Sequence, residues 1–444
     1  MQTSYPSRAL IKYRLLTVIF LCVIGFNSYA QAADSTSDDQ LRKEYDELKQ
    51  TVQLLNEKLQ SLEAKLTQVE ESEPQAVQSQ SNLDNAYSGD SIYHIAGYAD
   101  AGFYGTDGGD GSFATGSFAP ILHYQYKDLV LFEGEIAFVM ERGPNGETLT
   151  ETEIEYMSID LFLNDYAALV VGKFLSPIGQ FVQNLHPSWI NKLPSAPIGF
   201  SAGHGGSQAA PVAEFGIQLR GGAQFSERRL NYALYVGNGP AMLVEEGDDG
   251  LEIEGIDTTG RLSSEGTYST GGRIGFIPLP DFEVGLSLAV GEASVAEAAG
   301  HGDETMEPDE GDDHDEAPIN NRDYLVYGFD FYYSPRAFRS LAVRGEYVRT
   351  SLGNGQLGEA DPGESVWEAW YVQASYLWEK RKLEPVLRYG QYNDPHGEEA
   401  TQWAMGVNYL FSNNLIGKFA YEFNESNEEA GAANQYGVQL AYGF

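Results

Sequence analysis

The chain has 444 residues, 42% of them apolar, with 49 glycines, 28 tyrosines and a formal net charge of −38. That charge argues against nucleic acid as a partner, because a polyanion needs a basic face. Glycine and tyrosine at this level suit an all-β fold of one large domain plus appendages, and the single cysteine, Cys22, allows no internal disulfide.

Arg8, Lys12 and Arg14 precede an apolar run from Leu15 to Phe26, and Ser28-Tyr29-Ala30 or Ala30-Gln31-Ala32 supplies a small-residue cleavage site. Residues 1–32 therefore read as a secretory signal peptide. The run is shorter than the roughly 20 residues of a membrane-spanning helix, and no other stretch is apolar for that length. Ile19-Phe20-Leu21 lacks the small residues that a lipoprotein signal places before its cysteine. A mature chain without a thiol suits an oxidising compartment.

Over residues 39–72 the apolar positions Leu41, Tyr45, Leu48, Val52, Leu55, Leu59, Leu62, Leu66 and Val69 keep an unbroken alternation of four and three. So narrow a seam predicts a coiled-coil oligomerisation helix; a lone amphipathic helix on a surface is the alternative. Its mixed core does not choose between two strands and three, and three is expected from the domain that follows. Glu73-Pro74 stops the helix, and residues 73–90 read as a linker.

From Ser91 onward period-two segments recur, bounded by turn residues. Sixteen strands are predicted, over 91–104, 113–126, 129–141, 152–163, 166–174, 212–225, 229–237, 269–277, 281–291, 323–333, 339–350, 366–378, 382–392, 401–411, 414–423 and 435–444. The gaps alternate between short and long, the pattern of a transmembrane barrel with tight turns at one end. The strand faces divide the same way. Tyr436, Val438, Leu440, Tyr442 and Phe444 alternate with Gly437, Gln439, Ala441 and Gly443, and Phe215, Ile217 and Leu219 alternate with Glu214, Gln218 and Arg220. Strands apolar on one face must close on themselves in lipid, because every backbone group has to be paired internally. Residues 91–444 are thus expected to form an all-β, 16-stranded antiparallel transmembrane β-barrel, preceded by the short α-helical coiled coil.

The last strand, aromatic at alternate positions and finishing on Phe444, resembles the assembly signal of bacterial outer-membrane proteins. Val171-Gly172-Lys173-Phe174-Leu175-Ser176-Pro177-Ile178-Gly179, followed by a long loop, is similar to the Gly-basic-Phe…Pro-x-Gly stretch of the phosphate-selective porin O and P superfamily. The resemblance implies a homotrimeric outer-membrane porin with the coiled coil in the periplasm, in contact with lipid and lipopolysaccharide. Such a pore passes small hydrophilic solutes or ions passively, without catalysis or a required cofactor. It also implies that the loop after the fifth strand, here 175–211 with His186, Lys192 and His204, folds inward as a constriction. Packing of that loop against a neighbouring subunit is the alternative.

By strand parity the lumen receives Asp100, Glu133, Glu135, Asp160, Glu214, Glu283, Asp330, Glu346, Glu368, Glu384 and Glu422, against Lys173, Arg220, Arg273, Arg344, Arg388 and Lys418. Acids outnumber bases, which favours cations or neutral solutes, so phosphate specificity is not carried over. Lys173, Lys192 and Arg220 could still form a local basic cluster at the constriction. A separate oddity is the stretch holding His301, Asp303, Glu304, Asp312, Asp313, His314 and Asp315. Its carboxylates suit Ca²⁺ or Mg²⁺ and its imidazoles also admit Zn²⁺, yet the spacing matches no closed metal motif. It reads as a solvated acidic loop, a divalent bridge to lipopolysaccharide, or the capture site of a gated metal importer. His94 and His123 are the histidines on predicted strands, and neither has an assigned nucleophile, so an enzyme is not expected.

Overall fold

A computed structural model describes residues 91–444 apart from 110, 143–147, 201–208, 248–249, 263–265, 296–320, 336–337, 339, 354–363 and 428–432. The signal peptide, the coiled coil, the linker, His204 and the acidic stretch from His301 to Asp315 lie outside the described residues.

The strands are β1 (Ser91–Thr106), β2 (Ser112–Tyr126), β3 (Val130–Arg142), β4 (Thr148–Asn164), β5 (Ala167–Leu175), β6 (Ala213–Phe225), β7 (Arg228–Asn238), β8 (Ala241–Gly247), β9 (Gly250–Asp257), β10 (Tyr268–Leu279), β11 (Phe282–Val295), β12 (Arg322–Tyr333), β13 (Leu341–Leu352), β14 (Ser365–Tyr376), β15 (Leu383–Asn393), β16 (Glu399–Leu410), β17 (Leu415–Ser426) and β18 (Gln435–Gly443). Each of the sixteen predicted strands has its counterpart. The unexpected pieces are β8 and β9, a hairpin inside the long β7–β10 connection. β7 pairs directly with β10, and β1 pairs with both β2 and β18, so the other sixteen strands close into an antiparallel barrel.

Closure leaves no unpaired edge among the sixteen described barrel strands, which is the condition for strands to span lipid. The outer face is apolar: Val438, Leu440 and Tyr442 of β18 are exposed while Gln439 and Ala441 between them are buried. The same alternation holds along β12, where Leu325, Tyr327 and Phe329 are exposed and Val326 and Asp330 are buried. Three short turns at one end carry Lys127, Ser226 and Lys382 at φ of 53°, 59° and 54°. One left-handed residue per turn lets the chain reverse tightly.

The core lies inside the barrel. Inward residues such as Val170, Phe174, Tyr235, Val326, Val348 and Trp367 pack with Ile178, Phe181, Val182 and Phe200 of the β5–β6 loop and with Met242, Ile253 and Ile256 of the hairpin. The expectation from strand parity and an inward loop is a polar, narrowed lumen; the loop and the hairpin also bring an apolar filling into part of it.

Candidate functional site

The site grows out of the β5–β6 loop, residues 176–212. Gly172, at φ +133°, and Gly179, at φ +75°, are backbone requirements of the motif that opens it. A Cβ on Gly172 would stand 2.4 Å from the Met157 carbonyl oxygen, and one on Gly179 would stand 1.6 Å from Glu346 Oε1. Only glycine tolerates both the left-handed conformation and the close approach. Beyond Gly179 the chain makes one π-helical turn, Phe181–Leu185, with Phe181 and Val182 buried.

Lumen-facing side chains from around the ring hold the loop. Ser287 of β11 accepts the Gly179 N–H at 3.0 Å, and Glu346 of β13 accepts those of Gln180 and Phe181 at 3.1 and 3.0 Å. Lys192 reaches Glu384 of β15 at 3.0 Å, and Asn408 of β16 donates to the Lys192 carbonyl at 2.9 Å. Arg388 donates to the Ser195 and Ala196 carbonyls at 3.0 and 2.8 Å, Lys418 of β17 donates to the Ser188 carbonyl, and Ser195 donates to Glu422. Thr350 donates to the Ala209 carbonyl at 2.6 Å, and Ser176 to Glu214 at 2.9 Å. A loop bonded to inward side chains of six strands from β6 to β17 lies within the ring they form.

Across from that anchored side, a cavity of about 770 Å³ remains. The loop lines it with Gln180, Gln183 and Asn184, and the wall lines it with Tyr156, Arg220, Arg273 and Glu283 among others. Arg220 bridges Asp160 and, at 3.2 Å, Glu133. Arg273 forms a bidentate pair with Asp330 at 2.6 and 2.7 Å, and also meets Glu283 at 3.1 Å and Asn231 at 2.9 Å. Arg344 sits 5.4 Å from the centre of the Tyr332 ring.

The expected lumen set thus separates into two groups. Glu214, Glu346, Glu384, Glu422, Arg388 and Lys418 bind the loop, while Glu133, Glu283, Arg220 and Arg273 border the cavity. Two placements differ from the expected set. Lys173 falls in register with Met157 and Phe215, whereas Phe174 takes the row of Glu214; the lysine amine donates to the Ile154 carbonyl at 2.8 Å and lies 3.8 Å from Glu153. Glu368 alternates with the buried Trp367 and Ala369 and pairs with Arg349 at 3.3 Å. The register runs unbroken through both residues, so alternation itself sets Lys173 in the row of the exposed Val171 and Glu368 outside the row of Trp367 and Ala369.

The His186 side chain is largely covered, with its Nδ1 2.5 Å from the Val182 carbonyl and its Nε2 3.1 Å from Glu155 Oε2. Burial disfavours the imidazolium, but the Glu155 carboxylate beside it outweighs that cost and holds the pKa above its ordinary value. Sequence reasoning missed Glu155. It is the extra residue of a β-bulge, since Glu135 pairs with Tyr156 and Ile136 with Ile154.

No protein-family model matches the chain, and no curated protein matches it. Among solved structures, an anion-selective porin from Comamonas acidovorans is similar at a TM-score of 0.50 and 15% identity, over 80% of this chain and 100% of that one. The fold is the porin fold. A loop-deletion mutant of OmpT, an outer membrane protein of Vibrio cholerae, gives 0.49 at 12% identity over 80% of this chain and 100% of that one. Salmonella typhi OmpF in complex with daunomycin gives 0.49 at 14% identity, over 81% and 99%.

Proposed function

We propose that the chain is an outer-membrane porin, a passive water-filled channel for small hydrophilic solutes or ions, narrowed by the loop 176–212. The observation that carries this reading is the one-sided anchoring of that loop: inward side chains hold it, and a polar cavity remains between its Gln180–Asn184 face and the wall carrying Arg220 and Arg273. A sixteen-stranded barrel is wider than its own side chains fill, so an inward loop sets its size limit.

Selectivity follows from the charges that water can reach. The Arg220 side chain is 38% exposed, whereas Lys418 is 2% exposed. Arg220 and Arg273 are matched by Glu133, Asp160, Glu283 and Asp330, so we read the channel as weakly selective with a lean toward cations. Nothing in this mechanism is catalytic.

Three finer elements belong to the same proposal. Residues 39–72 hold three chains together in the periplasm, the motif from Val171 to Gly179 relates the chain to the O and P superfamily, and the acidic stretch 301–316 collects divalent cations. Planar-bilayer recording of the purified protein under a KCl gradient tests the main reading. Steady conductance with a small cation-side reversal potential supports it; absence of conductance rejects a passive pore in favour of a gated importer. Deleting residues 39–72 should lower the oligomeric state, and an unchanged oligomer would remove that role.

A further inference from the structure

Three side chains that the channel reading leaves without a task converge where the loop meets β3 and β4. Glu135 Oε1, Glu155 Oε2 and His186 Nε2 lie within 4.8 Å of one another. Each of these atoms is buried, and two of them, His186 Nε2 and Glu155 Oε2, form an ion pair at 3.1 Å. Glu135 is 1% exposed, and the His186 side chain is 7% exposed. Buried polar atoms are almost always paired, and Glu135 Oε1, without a hydrogen-bond partner, lies within 4.8 Å of that ion pair, so one ion held by all three would satisfy it.

We infer that Glu135, Glu155 and His186 form a binding site for a divalent transition ion, Zn²⁺ in the first instance, that clasps the loop to the barrel wall. Two carboxylates and one neutral imidazole cancel a double positive charge and supply the mixed oxygen and nitrogen set that zinc takes; Ca²⁺ prefers six to eight oxygens. Zinc bonds of about 2.1 Å require ligand atoms roughly 3.4 Å apart, within small side-chain rotations of the observed cluster. The surroundings are those of a metal ligand shell. His186 Nδ1 is engaged by the Val182 carbonyl, which leaves Nε2 turned toward the carboxylates as the atom free to ligate once it gives up its proton. The Tyr98 hydroxyl donates to the other Glu155 oxygen at 3.5 Å, and the Tyr98 ring packs edge-on to His186 at 6.3 Å. The bulge in β4 turns Glu155 toward Glu135, and bulges commonly re-aim a side chain in this way. Tyr156, opposite Glu135 in the ladder, also lines the cavity.

The inference stands apart from the channel reading, because binding is read in detergent without any measurement of conductance. The full chain is prepared with His301→Ala and His314→Ala, so that the acidic stretch offers no imidazole, and is stripped with a chelator. Co²⁺ is then titrated while visible absorption is followed, and Zn²⁺ is used to displace it. The expected result is one saturable site per chain with a nitrogen-containing Co²⁺ spectrum. His186→Ala should remove it, and Glu135→Gln, which keeps the shape of the side chain, should weaken it at least tenfold. Folding of each variant is checked by its heat-dependent migration in detergent gels, and a folded Glu135→Gln chain suffices for the comparison if His186→Ala does not fold. No saturable site, a site indifferent to these variants, or one that takes Ca²⁺ in preference to Zn²⁺ would overturn the inference.

Discussion

Glu346 of β13 accepts the backbone N–H groups of both Gln180 and Phe181, 166 and 165 residues away in sequence, at 3.1 and 3.0 Å. A carboxylate that ties down two successive amides fixes the first turn of the loop to the wall opposite the cavity, and Gly179 fits because it has no side chain to displace that carboxylate.

Replacing Gly179 by alanine should therefore loosen the loop. The new Cβ would stand 1.6 Å from Glu346 Oε1, and φ of +75° is strained for any L side chain. We expect a loss of about 1–3 kcal/mol, read as a lower unfolding temperature, together with larger and noisier single-channel conductance. A variant with wild-type conductance and stability would show that this contact does not position the loop.

Arg388 anchors the far limb. Its guanidinium serves the Ala196 carbonyl at 2.8 Å and Gln402 at 3.1 Å, both inside the barrel. Arg388→Met should cost about 1–3 kcal/mol by leaving buried acceptors without that donor. Protease cleavage within 176–212 should become faster; resistance equal to wild type would count against the anchoring role.

Two bases should behave differently under a salt gradient. Arg220→Glu changes the sign of a water-exposed charge at the cavity and should move the reversal potential toward cations, with less effect at high ionic strength. Lys418→Met removes a charge sealed under the loop and should leave the reversal potential unchanged. Equal shifts from both variants would refute the assignment of the passage to the Arg220 side.

Asp107, in the turn after β1, accepts hydrogen bonds from the Tyr421 hydroxyl and, at 3.1 Å, from Asn434. The Tyr421 bond first and then that from Asn434 hold its pKa below the ordinary 3.8. A depressed pKa means that the link is complete above about pH 3.8 and is lost as the pH falls through the lower folded value. Amide exchange of the β1–β2 turn, corrected for the intrinsic rate, should rise over that range in wild type and show no such step in Asp107→Asn.

The sixteen strands were legible because lipid and closure impose a strict alternation, and Tyr436 to Phe444 or Leu325 to Phe329 display it without help from the rest of the chain. Glycines 172 and 179 were visible as a motif, but their reason was not, since it lies in Met157 and Glu346. The hairpin β8–β9 was hidden because its burial comes from packing onto the loop and the inner wall, where no lipid-imposed period applies.

What the sequence by itself determined is thus the barrel: strand number, closure, the outward face and the inward origin of most charged side chains. Only the tertiary structure decided which inward charges meet water. Parity places Lys418 and Arg220 on the same face, yet the loop covers one and leaves the other beside the cavity. The path of that loop depends on contacts with six strands spread from β6 to β17, and the meeting of Glu135, Glu155 and His186 depends on a bulge and a loop end. Such contacts join residues far apart in the chain, and no local period in the sequence carries them.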